Sequence, residues 1–318
     1  MNKVFDEYLD IDYSEMRTDN FLSRMNTSNI ASIQRVQNGK GFKDVKTCNF
    51  CEGKNQSLYL TKNEIEILKC NDCDLVFSSV IPKDFNDVYS NEDYLASTIE
   101  MYEKNSEFRK KRFGTERLKI IKGYKKKGSL LDIGCGIGWF LEVAMSNFDV
   151  KGVEISDSLR GYLKKNKDID SFKYIDDIPD NSADVITGFD LIEHVEDPSS
   201  LLKSIYRILK PQGICLLFTP NVNSIGFKLL KQKSSLLCPP EHLYYFSEET
   251  ISKYAEKAEF NILKVWTRGI DIGDVYAEQL SLNNLALADF LNENQNWIQH
   301  SIDEAGFGNH MRVLLEKI

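Results

Sequence analysis

The stretch that most constrains this chain is Leu130-Leu131-Asp132-Ile133-Gly134-Cys135-Gly136-Ile137-Gly138. An apolar run breaks into three alternating glycines and resumes as the amphipathic segment Trp139–Asn147. The run reads as a buried strand and the following segment as a helix, so the glycines make a tight turn that a ligand can approach closely. Turns of this kind, at the ends of parallel strands, are where doubly wound sheets bind nucleotides. The dinucleotide fingerprint G-x-G-x-x-G does not fit, because its third glycine position is Trp139. The phosphate loop does not fit either, since it ends in Gly-Lys-Ser/Thr. Asp132 would repel a pyrophosphate, so the expected ligand carries no phosphate at this point. Glu154 ends the next apolar run, sixteen residues past Gly138. A carboxylate there can accept from both hydroxyls of a ribose.

The texture around the turn predicts the fold. Leu130–Ile133, Val150–Val153, Phe172–Ile175, Val185–Thr187 and Ile214–Phe218 read as short buried strands. Helical stretches are expected at Trp139–Asn147, Asp157–Lys165, Ser199–Leu209 and Glu248–Ala258, an alternation that gives a parallel sheet covered on both faces. Asn261–Trp266 and Met311–Leu315 supply two more strands. Between them residues 271–308 look helical, at Val275–Leu287 and Leu291–Ile302, and are too long for a hairpin loop. A net charge of -8 disfavours a surface built to neutralise phosphates, so nucleic acid is not the expected partner. The basic runs Arg109–Arg112 and Lys125–Lys127 lack interleaved aromatics and read as solvated helix faces. No apolar run is long enough for a membrane span. The acidic start lacks the apolar core of a signal peptide, so a cytoplasmic protein is expected.

Four of the seven cysteines form the pattern Cys48-x2-Cys51 and Cys70-x2-Cys73, with eighteen residues between the pairs. That spacing fits a zinc module. Each pair can aim two thiolates at one tetrahedral Zn2+, and four thiolates leave no position for substrate, so the expected zinc is structural. Cys135, Cys215 and Cys238 read as small core or loop residues. The expected organisation is an N-terminal arm over 1–45, a zinc-binding module over 46–82, a helical connector over 83–127, and a ligand-binding domain over 128–318 with a helical insert at 271–308. A short helix is expected around Ile30–Val36.

LDIGCGIGWFLEVA, followed by VEIS, resembles the class I S-adenosylmethionine-dependent methyltransferases. The resemblance runs from about Tyr89 to Phe260 and continues more weakly to the C-terminus. FDLIEHVEDP at Phe189–Pro198 is similar to the family's segment after the fourth strand. PPEHLYYFSEETI at Pro239–Ile251 resembles a segment of the branch associated with sugars and surface polysaccharides. LKCNDCDLVF and VYSNEDYL are similar to the N-terminal part of bacterial sugar methyltransferases. The resemblance implies an α/β fold: a Rossmann-like seven-stranded methyltransferase sheet, a small N-terminal zinc-binding module, and a helical insertion before the last strand. It implies that Asp132, Gly134, Gly136 and Gly138 hold the methionyl part of S-adenosyl-L-methionine and Glu154 its ribose. Asp176 or Asp177 would lie near the adenine, with Phe189 near the adenosine face.

Longer relatives that methylate sugar carbon carry a further C-terminal domain without a counterpart in these 318 residues. The expected reaction is therefore O-methylation of a sugar or nucleotide-sugar for a capsule, lipopolysaccharide or other surface glycan. Two alternatives stand beside it: a zinc-module RNA base methyltransferase, and a non-catalytic S-adenosylmethionine-binding protein. A sugar hydroxyl needs a destination for its proton, which a general base or a metal provides. His194 and His242 follow the fourth and fifth strands on the ligand-facing rim and are the candidate catalytic residues. An orienting or a metal-ligand role for His194 stays open. Asp190, Glu193 and His194, at i, i+3 and i+4, would share one face of a helical turn, an arrangement that resembles part of the metal site in some quinone and RNA-end methyltransferases. His242 with Glu241 can shape the acceptor pocket or act as base, and Tyr244 and Tyr245 can line that pocket or pack in the core. His300 and His310 are expected to face solvent or serve structure. The helical insert is expected to cap the acceptor side or to form a dimer interface.

Overall fold

The computed structural model describes residues 41–83, 99, 103 and 106–318. Of the arm expected over 1–45, residues 1–40, including Ile30–Val36, lie outside the described residues, as does the VYSNEDYL segment, whereas Phe42–Asp44 is a strand paired with Val80–Pro82.

Among the described residues, seven strands form the central sheet: β6 (Ser129–Ile133), β7 (Asp149–Val153), β8 (Ser171–Phe172), β9 (Ala183–Phe189), β10 (Leu209–Pro220), β12 (Phe260–Thr267) and β13 (His310–Lys317). Their spatial order is β12-β13-β10-β9-β6-β7-β8. Every pair is parallel except those made by β13, which runs antiparallel to both β10 and β12. The chain leaves β6 towards β7 and β8, then returns to place β9 on the other side of β6. That reversal opens a crevice beyond the carboxyl ends of β6 and β9, the position where open α/β sheets bind ligands.

Period-two patterning explains why both faces are covered. Leu131, Ile133, Ile186, Leu217 and Leu315 pack in one apolar layer, while Leu130, Val185, Leu216 and Leu314 pack in the other. The first layer is closed by helices α5 (Pro198–Ile208) and α7 (Glu248–Lys257), the second by α2 (Thr115–Tyr124) and α3 (Trp139–Ala144), all supplying buried residues. Helix α2 continues from α1 (Ser106–Arg109) through a π-turn at Lys110–Gly114. The α5 start is capped by Asp197, whose Oδ1 accepts from the Ser199 and Ser200 amides, with Pro198 at the first helical position. The third strand is shorter than the expected Phe172–Ile175. It ends at Phe172, and Ile175–Asp177 makes a 3-10 turn.

The insert is two helices, α8 (Asp271–Ser281) and α9 (Leu285–Glu304). A buried polar knot fastens them: Asp271 accepts from the Gly226 amide at 2.8 Å, the Asn309 amide at 2.9 Å and Gln299 Nε2 at 3.0 Å. They pack through Ile272, Val275, Leu291 and Ile302 against Leu230 at the end of α6 (Ile225–Leu230), just beyond β10.

The cysteine-bearing segment folds as β1 (Phe42–Asp44), β2 (Gln56–Lys62), β3 (Ile65–Cys70), β4 (Val76–Ser78) and β5 (Val80–Pro82). Its main sheet is completed from the far end of the chain. β11 (Tyr244–Tyr245) pairs antiparallel with β4, giving the order β11-β4-β3-β2. The cysteines share a core with the large sheet, since Cys48, Cys70, Cys73, Leu75 and Phe77 belong to the same apolar layer as Ile186 and Leu217.

Candidate functional site

The glycine turn projects into the crevice. Gly136 has φ +53°, a left-handed conformation that favours glycine, and a Cβ there would meet nothing within 4 Å. Gly138 has φ +73°, and a Cβ would meet Leu163 at 2.5 Å, so this position must be bare for the turn to pack on α4 (Asp157–Lys167). The Gly134 amide donates to the Val153 carbonyl at 2.8 Å, which ties the turn to the end of β7.

Glu154 is fixed from both sides. Its Oε2 accepts from the Gly136 amide at 3.0 Å and its Oε1 from the Ser156 amide at 2.9 Å. The carboxylate thus bridges the glycine turn and the start of α4. Burial pushes its carboxyl above the usual range, against these hydrogen bonds. Asp176 and Asp177 lie on the exposed turn after β8. β8 is the strand beside β7.

Asp132 is buried at the end of β6 and accepts from Thr187 Oγ1 at 2.6 Å across the β6–β9 pair. Burial pushes its carboxyl up to about 7, offset by the Thr187 hydrogen bond and the positive charge of Arg117. Arg117 was not singled out from sequence. Its guanidinium is buried over the Phe189 ring at 3.8 Å, with Trp139 at 4.7 Å and Phe218 at 4.8 Å, and its Nε has no partner among the described residues. Phe189 also meets Phe140 and Phe218 edge to face, each at 5.0 Å. The site therefore carries a caged cation whose charge acts on the buried Asp132 carboxyl.

The rim beyond β9 and β10 is built by two segments meeting. The Glu193 carbonyl accepts from the Leu243 amide at 2.8 Å and the Tyr244 amide at 3.2 Å, which draws the loop after β10 against the turn after β9. His194 and His242 are thereby brought edge to face with centroids 4.6 Å apart. His194 Nδ1 lies 2.9 Å from the Glu241 carbonyl and His242 Nδ1 2.9 Å from the Leu236 carbonyl. A carbonyl can only accept, so each Nδ1 carries the hydrogen and each Nε2 keeps its lone pair. Burial lowers both imidazoles below their usual range, His242 further because His194 adjoins it. Both are neutral at pH 7.

Asp190, Glu193 and His194 do not share a helical face. Residues 191–194 form a single turn closed by the His194 amide on the Leu191 carbonyl, and Asp190 has φ +53°. That left-handed residue sends its carboxylate towards His310, whose Nε2 lies 3.5 Å from Asp190 Oδ1. His310 thus adjoins the rim, where the sequence suggested solvent or structure. Glu193 stays with the histidines, fully buried, its Oε2 accepting from Thr219 Oγ1 at 3.0 Å. Tyr244 is a core residue that donates to the Glu196 carbonyl at 2.8 Å. Tyr245 is buried beside His242, its ring centroid 6.2 Å from the imidazole. His300 is half-buried on α9 near Glu304.

The four cysteines converge. Cys48 and Cys73 sulfurs are 3.5 Å apart, as are those of Cys51 and Cys70, and all four lie within 4.8 Å of one another. A tetrahedral zinc with sulfurs at about 2.3 Å needs sulfur pairs roughly 3.8 Å apart, so the cluster fits the ion with little adjustment. Left-handed residues Glu52 and Asp74 close the two cysteine turns. The other three cysteines are buried in the fold.

A doubly wound sheet ending in one antiparallel strand, with a glycine turn and an acidic second-strand end, defines a nucleotide-handling α/β protein. The methyltransferase-domain family matches residues 105–265, just over half of the chain, and the chain belongs to that family of class I S-adenosylmethionine-dependent methyltransferases. Among curated proteins it is similar to the ubiquinone biosynthesis O-methyltransferase of Psychrobacter cryohalolentis, 29% identical over 106 residues, 30% of this chain and 41% of that protein. The enzyme of the same name from Pseudomonas putida strain W619 is 30% identical over 111 residues, 31% of this chain and 47% of that protein. The chain thus spans less than half the length of these relatives. Among solved structures, an S-adenosylmethionine-dependent methyltransferase of Thermotoga maritima has a TM-score of 0.49 at 19% identity, covering 70% of this chain and 96% of that one. Phosphoethanolamine N-methyltransferase 2 of Haemonchus contortus, in complex with S-adenosyl-L-methionine, has a TM-score of 0.46 at 23% identity, covering 76% and 62%. Among the described residues no helix is long and apolar enough to cross a membrane.

Proposed function

We propose that the protein moves the methyl group of S-adenosylmethionine to a hydroxyl oxygen of a small-molecule acceptor, and that this acceptor is a sugar or nucleotide-sugar. The observation that carries the oxygen is the rim: two neutral imidazoles, each with its Nδ1 hydrogen committed to a carbonyl and its Nε2 lone pair free. In the transfer the S–CH3 bond breaks, the O–CH3 bond forms, and the cofactor leaves as a neutral thioether. The hydroxyl proton is drawn off at the rim carrying His194 and His242, which are the proposed catalytic residues. Asp132, Gly134, Gly136, Gly138, Glu154 and Phe189 hold the cofactor, with Asp176 and Asp177 on its adenine side. In-line displacement gains most from holding acceptor and methyl group in line, and the crevice between β6 and β9 is where both would sit.

The relatives named as O-methyltransferases support oxygen as the methylated atom. The sugar is supported by the likeness of Pro239–Ile251 and the cysteine module to sugar-branch methyltransferases. In a test, the full chain is given S-adenosylmethionine labelled in the methyl group, with nucleotide-sugars, a catechol and RNA offered separately. Label in an ether of the nucleotide-sugar is the expected result. Label in RNA alone would overturn the reading, and label in the catechol alone would remove the sugar.

A further inference from the structure

We infer that Glu193, His194 and His242 form a binding site for a divalent first-row transition ion, separate from the four-cysteine cluster. The inference rests on the proposed acceptor side of the crevice and says what its free lone pairs hold.

The donor set is assembled before any ion arrives. One ligand atom from each of the three side chains lies within 4.8 Å of the others. Both histidines have the hydrogen on Nδ1 fixed by a backbone carbonyl at 2.9 Å, the outer-sphere arrangement that orients a metal-binding imidazole and leaves Nε2 as ligand. Glu193 adds a different kind of observation. Its side chain is 0% exposed, Thr219 occupies Oε2, and Oε1 is buried without a partner among the described residues. An acceptor buried without a donor is costly to fold around, and a cation beside it removes that cost. The backbone of the same residue holds the two histidine-bearing segments together through the Leu243 and Tyr244 amides, so the set is rigid.

Chemistry narrows the ion. Two imidazoles and one carboxylate suit zinc, manganese or iron(II), whereas calcium and magnesium favour sites of oxygen ligands alone. Three protein ligands leave at least one position open, unlike the closed four-thiolate shell. An acceptor hydroxyl in the open position would have its acidity raised, so its proton passes to solvent water while its oxygen attacks the methyl group. With the ion bound, the imidazoles act by holding it, and the proton they would otherwise draw off passes to water.

The test uses the full chain with its cysteine site as isolated, titrated with Mn2+ by calorimetry and by the electron paramagnetic resonance signal of free Mn2+. Cobalt substitution separates the two sites, because only the cysteine cluster gives thiolate charge-transfer bands. The expected result is one further ion per chain, with affinity reduced at least about 10²-fold in Glu193→Gln and in His242→Ala. S-adenosylmethionine binding, measured alongside, shows whether each variant is folded. His242→Asp, which restores a ligand, is expected to recover part of the affinity. Absence of a second ion in the wild-type chain, or unchanged affinity in folded Glu193→Gln and His242→Ala, overturns the site. Cofactor binding without a second ion would leave the methyltransferase reading intact, whereas a chain that binds no cofactor would remove that reading whatever metal it holds.

Discussion

At the scale of single residues, Glu154 and Asp132, both proposed to hold the cofactor, lead to different predictions. Glu154 already holds two backbone amides in place, and Glu154→Ala removes both of these bonds as well as any to a ribose. Charge-assisted hydrogen bonds are worth roughly 1.5–3 kcal/mol each. Calorimetry should therefore show S-adenosylmethionine affinity falling by at least about 10²-fold in the variant, and equal affinity would take Glu154 out of the site. Asp132 carries a pH signature. Its folded-state value of about 7 lies above that of an exposed aspartate, so from about pH 4 to pH 7 the native state keeps a proton that the unfolded chain has lost. Stability from this group is full below that window and is lost as pH rises through it, at up to roughly 1.4 kcal/mol per pH unit. Asp132→Asn keeps an acceptor for Thr187 and removes the titration. Paired denaturant melts without cofactor should show the variant gaining on wild type as pH rises from about 5 to 8, then holding a constant margin. A difference independent of pH would contradict the buried carboxyl. Both residues were legible in the sequence, because a glycine turn fixes what can stand directly before it and at the end of the next strand. Arg117 was not: its helix is polar and charged, and only tertiary packing lays the guanidinium on Phe189.

At the scale of elements, β11 connects the cysteine module to the rim. Tyr244 and Tyr245 pair with Phe77 and Val76, and Tyr244 lies two residues from His242. On the same side, α7 donates from Lys253 to the Cys73 carbonyl at 3.3 Å and from Lys257 to the Phe50 carbonyl at 3.0 Å. Loss of the proposed zinc should therefore loosen the acceptor side before the cofactor side. Cys73→Ser is expected to bind less than one equivalent of zinc by elemental analysis and to lose more turnover than S-adenosylmethionine affinity. Equal losses in both would mean that the module serves general stability alone. The cysteine spacing made the cluster readable, since two short turns aim four thiolates by local geometry. The strand from residues 244–245 was not readable, because a two-residue pairing across such a sequence separation leaves no periodic trace. The same holds for the meeting of His194 with His242 and for Asp190 turning to His310, both set by long-range backbone contacts.

At the scale of the whole molecule, strand-helix alternation gave the sheet because buried parallel strands are nearly continuous apolar runs. The third strand was overestimated where the apolar pattern runs past the two residues that pair with β7. The insert was placed correctly as helical, yet its anchoring by Asp271, Gln299 and Asn309 depends on buried polar residues, which leave no hydrophobic period in the sequence. Asp271 sits at the centre of that knot, and Asp271→Ala strands the Gly226 and Asn309 amides, each at a cost of about 1–3 kcal/mol. A lowered melting midpoint with near-normal cofactor affinity is expected, and an unchanged midpoint would show that the knot adds no stability. The central claim is that the crevice beyond β6 and β9 binds S-adenosylmethionine for methyl transfer. Calorimetric titration of the full chain with S-adenosylmethionine, its demethylated thioether and NAD tests it most directly. One site per chain for the first two ligands and none for NAD is the predicted result; tight NAD binding, or no binding of either sulfur ligand, would contradict it.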